Sequence, residues 1–168
     1  MTNTAQAFWD FSGAFYREPG VQKACLALQD DYGFDVNLLL YACWLGLSEG
    51  ATLTEAERGA ALARAKDWKK SVLRPSREAR RAVKAAQLTG AGEDHRADLY
   101  EALKQAELKA ERITQNFMVE HAPQARPGLA LAERRALAAA NLTLCLGNSA
   151  RVQDAAQPFF GAIEATEG

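Results

Sequence analysis

The 168-residue chain is poor in valine and isoleucine, and no stretch of useful length alternates apolar with polar residues. Without such runs a sheet has nothing to bury on one face, which removes the β-rich and α/β classes. Net charge is also lacking. Twenty Lys and Arg stand against 21 Asp and Glu, giving −1, so no global field draws the chain to nucleic acid or to an anionic membrane. The longest apolar run, Val36 to Leu47, is interrupted by Asn37 and too short to cross a bilayer. No membrane insertion is expected.

Motifs of known chemistry are missing as well. There is no G-x-S-x-G, no Walker loop and no G-x-G-x-x-G. The two histidines, His95 and His121, have no Cys, His or carboxylate at recurring ligand spacing, so neither a metal nor a cofactor is called for. The three cysteines, Cys25, Cys43 and Cys145, form no C-x-x-C pair and lie in apolar helical patterns. Buried free thiols in a reducing compartment follow. The first residues, MTNTAQAFWDFSG, lack the basic region and apolar core of a signal peptide. The expected location is the cytoplasm.

What the chain does have is helix. Ala and Leu dominate its apolar share, and both lose little on entering a helix. Phe8, Phe11 and Phe15 mark a first helix over about 4–17, which Pro19-Gly20 breaks. Val21, Cys25, Leu28 and Tyr32 mark a second, and Gly33 suits its C-terminal stop. Asp35 can cap a third helix, about 36–48, that is apolar nearly all round. A helix with no polar face must be surrounded by others. Asn37 within it needs partners: a neighbouring loop is the first candidate, and a pocket that it marks is the alternative. TEAE at 54–57 reads as a capping box opening a fourth helix, and Arg74-Pro75-Ser76 reads as its break. Further helices are expected from Ser76 to about Leu88, over 93–120, and over 130–146. A last segment is divided by Pro158. In the longest helix Leu99, Leu103, Ala106, Ala110, Ile113 and Phe117 step by 4, 3, 4, 3, 4, a heptad-like stripe that could support a homodimer. The expected fold is all-α: one domain over residues 1–168, with six to eight helices bundled around a central apolar helix at about 36–48.

Two constellations are candidates for function. Asp30, Asp31 and Asp35, followed by Asn37 and the apolar run, resemble the aspartate-rich motifs of isoprenoid synthases, where carboxylates hold Mg²⁺ against a diphosphate. Gly33 lies between the acids, and no second such motif completes a metal cage. The plainer reading makes Asp30 and Asp31 solvated and Asp35 a helix cap. The second constellation is residues 66–84, KDWKKSVLRPSREARRAVK, near +6 against a remainder near −7. Arg77, Arg80, Arg81 and Lys84 recur at i, i+3, i+4, i+7 and, with Lys70 and Arg74, form a face suited to an acidic protein partner. Its plain alternative is a solvated face that pairs with the acidic remainder of the same chain or of a second copy. Few aromatics lie nearby and Trp68 falls on the apolar stripe, which argues against nucleic acid.

Residues 8–46, FWDFSGAFYREPGVQKACLALQDDYGFDVNLLLYACWLG, resemble the opening segment of a small, uncharacterised proteobacterial family, F-W-x-F-S…Y…P-G-V…C-L-x-L-Q-D…D-V-N-L-L-L. The likeness is close over these residues and looser beyond them. It implies a cytoplasmic bacterial protein consisting of this domain, and it carries no activity and no site residues. The residues themselves favour a non-enzymatic interaction or adaptor module using the basic face. The alternative is a small helical enzyme or carrier that binds an apolar or isoprenoid-diphosphate-like ligand near Asp31 and Asp35.

Overall fold

The structure, a computed structural model, describes residues 3–167; residues 1, 2 and 168 lie outside the described residues. It is all-helical. The elements are α1 (Asn3–Tyr16), α2 (Val21–Asp30), α3 (Val36–Leu47), α4 (Glu55–Trp68), a π-helical turn (Lys69–Leu73), α5 (Arg74–Ala85), α6 (Ala91–Val119), α7 (Leu131–Leu146), α8 (Ala150–Ala155) and α9 (Gln157–Ala165). Because α4, the π turn and α5 run on without interruption, they make one long helix, and eight helices result among the described residues.

α3 is the centre. Every residue from Asn37 to Leu47 is buried, as a helix with no polar face requires. The Asp35 carboxylate caps it, accepting from the Asn37 backbone N–H at 3.1 Å. Phe8 of α1 meets Tyr41 and Trp44 with ring centroids 5.7 and 5.3 Å apart, and Phe15 reaches Phe159 of α9 at 5.8 Å. These rings close one side of the core.

On the other side α7 lies along α3 so closely that Gly46 has no room for a side chain. A Cβ there would stand 2.2 Å from the backbone N of Ala138. Asn141 of α7 is buried and fully used. Its Oδ1 accepts from Leu53 N–H at 2.8 Å, and its Nδ2 donates to the carbonyls of Ala51 at 2.9 Å and Ala42 at 3.3 Å. One amide thereby pins the loop between α3 and α4 to both helices.

The expected break at Pro75 does not occur. Proline lacks an N–H and its ring strikes the carbonyl four residues back in an α-helix. Here the turn before it widens: Arg74 N–H donates to Lys69 C=O, a five-residue step, and Ser76 Oγ donates to Val72 C=O at 2.8 Å. The helix bypasses the clash and continues. TEAE forms its capping box, with Glu57 N–H donating to Thr54 Oγ1 at 3.2 Å and Thr54 N–H to Glu57 at 2.8 Å.

α5 and the N-terminal two thirds of α6 form an antiparallel arm. α5 has no buried residue, and the buried residues of α6 begin only at Ala110. The heptad-like stripe is therefore used differently from expectation. Leu103, Ala110 and Phe117 pack at least partly, whereas Leu99, Ala106 and Ile113 stay exposed. The charged pairs between the two helices turn α6 so that Glu107 and Glu111 face α5.

Candidate interaction site

A groove of about 480 Å³ runs along the α4–α5 helix across the π turn. Leu62, Ala63 and Leu73 supply its apolar surface, and Lys66, Lys69, Lys70, Arg74 and Arg77 supply its cations. The groove crosses the widened turn, and these five basic side chains share its opening.

Behind the groove stands a charged network. Lys69 pairs with Asp35. Arg77 bonds Glu111 and lies 3.6 Å from Glu107, and Arg80 bonds Glu107. The Glu107 hydrogen bond holds the Arg80 guanidinium above its ordinary pKa. Glu107 and Glu111 are only 15 % and 17 % exposed, so these pairs are stronger than open surface pairs. Glu111 also accepts from the Asn37 amide, whose oxygen accepts from Gln115 Nε2 at 2.9 Å. Asn37 is thus satisfied by α6 and not by a neighbouring loop; its position at the start of α3 points it at the middle of the long helix.

The two candidate sets, some forty residues apart in sequence, therefore partly converge. Asp35 and Asn37 meet Lys69, Arg77 and, through Glu107, Arg80 in one network. Asp30 and Asp31 stay out of it, exposed at the end of α2. None of the three aspartates lines the groove, and among the described residues no group of three His, Cys, Asp or Glu side chains is placed to hold a metal. Around the basic face, Arg74 makes an exposed pair with Glu78 at 3.4 Å. Among the described residues Lys66, Lys70, Arg81 and Lys84 have no carboxylate within 4.0 Å, and all four are exposed. Glu107, Glu111 and Gln115 are members of the site that sequence reading did not single out, and Lys66 and Lys69, part of the basic segment, were not among its named contact residues. The glutamates lie on a distant helix, and only their spacing of four could have hinted at a shared face.

The cysteines have no part in it. Burial pushes the thiols of Cys25 and Cys145 up to about 12, and that of fully buried Cys43 higher than its ordinary value. Among the described residues no helix is long and apolar enough to cross a membrane.

Residues 7–118, two thirds of the chain, match the family model described as a protein of unknown function, DUF2390. The chain belongs to the DUF2390 family. The DUF2390 match runs from α1 almost to the end of α6 and so takes in the groove and the whole network behind it. It leaves α7, α8 and α9 outside, although α7 is the helix most closely packed on α3. Comparison with curated proteins and with solved structures returns no match.

Proposed function

We propose that the protein is a non-enzymatic interaction module of the bacterial cytoplasm, which captures an acidic segment of a partner protein in the basic groove. The observation that carries this reading is the division of the cations into two shells. Lys69, Arg77 and Arg80 are neutralised by Asp35, Glu107 and Glu111. Lys66 and Lys70 at the groove, with Arg81 and Lys84 further along α5, are left with their charge facing water. Arg74, in an exposed pair with Glu78, can exchange partners at little cost. The inner shell fixes the platform and the outer shell offers uncompensated charge. The apolar floor of Leu62 and Leu73 suits a partner segment that carries an aliphatic or aromatic side chain among its acids. Three free, buried thiols fit a reducing compartment.

The test is fluorescence anisotropy with a labelled peptide of alternating Glu and Leu. The wild-type protein should bind it, and binding should weaken as salt rises. The double substitution Lys70→Glu with Arg74→Glu should weaken capture at least tenfold without moving the thermal midpoint. Equal capture by the double variant would sink the proposal, as would tighter binding of a single-stranded oligonucleotide than of the peptide.

A further inference from the structure

The exposed side of α6 carries a second pattern, separate from the basic groove. Leu99, Ala102, Ala106, Lys109 and Ile113 step by 3, 4, 3, 4 and are all exposed, with Leu99 at 50 % and Ile113 at 37 %. They occupy the a and d positions of two heptads whose other sides pack on α5, on α4 and, beside Arg112, on α1. Leu99 and Ile113 stand as large apolar knobs at its two ends, Ala102 and Ala106 lie between them and Lys109 is the one polar position, a spacing that suits another helix, with the lysine lowering the stability of the pair.

The charges beside the stripe say which helix. The flanking positions on its outer edge are Asp98, Gln105 and Arg112, seven residues apart. The sequence of charge is negative, neutral, positive, and it reads as its own complement when reversed. Set antiparallel about Gln105, two copies of α6 bring Asp98 of each against Arg112 of the other. Set parallel, the same copies stack acid on acid and base on base. The small side chains of Ala102 and Ala106 lie at the middle and allow the helices to approach closely. Arg112 is already held in place: it bonds Gln6 Oε1 and lies over the Trp9 ring, 5.7 Å from its centroid.

We infer that α6 is the seat of an antiparallel homodimer, in which two copies of the chain pair Leu99 to Ile113 about a two-fold axis near Gln105. The stripe is about four turns long, too short to bury the ~800 Å² per partner of a standard interface, so association is weak and concentration-dependent. The inference does not rest on the groove, since none of these residues lines it.

Sedimentation velocity over a concentration series from ~5 μM to ~500 μM reads the dimer directly, a range chosen to bracket weak association. The wild-type protein should shift from monomer to dimer across it. Ala106→Glu puts like charges together at the axis on an exposed position and should hold the chain monomeric with its helical circular dichroism intact. Asp98→Arg should weaken the dimer at least tenfold, and adding Arg112→Asp should restore it. A wild-type protein that stays monomeric throughout overturns the inference. So does a dimer that Ala106→Glu leaves unchanged, or a charge swap that fails to recover association.

Discussion

The contact of α3 with α7 and the arm of α5 with α6 are both pairs of helices, yet they are held by opposite means. The first is dry. It has a glycine where the backbones nearly touch, an amide that makes three hydrogen bonds and, among the described residues, no ion pair. The second has no buried residue on α5 and is tied by Arg77, Arg80, Glu107 and Glu111. Close packing gives stability that water cannot compete for. These part-buried ion pairs give direction at modest net energy, and the exposed charges beside them stay free to pair with other partners. The difference teaches where to look for function: the dry pair keeps the fold, and the salt-tied pair presents charge.

That comparison can be broken from either end. The largest effect is expected at Gly46. In Gly46→Ala the new Cβ meets the backbone of Ala138, which cannot rotate away, and the cost should be about 3 kcal/mol or more in urea unfolding. Asn141→Leu comes next. It leaves Leu53 N–H and Ala51 C=O without their partner, for a loss of about 2–3 kcal/mol by the same measurement. Glu107→Gln in the arm should cost only about 1 kcal/mol globally, while amide hydrogen exchange along α5 rises well above wild type. If Glu107→Gln destabilises as much as Asn141→Leu, the arm is part of the core and the contrast fails.

The smallest effect on stability near neutral pH belongs to the thiols, and it sharpens the same contrast. Cys25 and Cys145 have folded values of about 12 against an ordinary 9.0. The raised folded value means that their contribution to stability is whole below pH 9 and is lost as the pH rises from 9 towards 12. At pH 8 a thiol reagent should label none of the three in the native protein and all three after unfolding. Fast native labelling of Cys145, on α7, would show that the dry pair opens on its own.

Much of the fold was legible because it is written locally. The apolar run of α3, the cap at Asp35 and the box of Thr54 and Glu57 each depend on residues within a few positions of one another. What was not legible depends on space. Asn37 gives no sign that Gln115 and Glu111 await it. Arg77 and Arg80 look outward in sequence, since their glutamates are about thirty residues further on. Those same pairs rotate α6 and leave Leu99 and Ile113 outside, contrary to the period alone. Pro75 misled for a definite reason: the rule that proline stops a helix assumes the α register, and the turn before it had left that register.

The π turn at Lys69–Leu73 has one further consequence. A helix advances roughly 100° per residue, so a single extra residue in a turn resets the phase of everything downstream. α5 is displaced in phase by that amount relative to α4. Deleting one residue from the turn would leave every charge of α5 present but swing Arg77 and Arg80 off the line of Glu107 and Glu111. The extra residue works as a dial, setting which cations the fold keeps and which it turns outward.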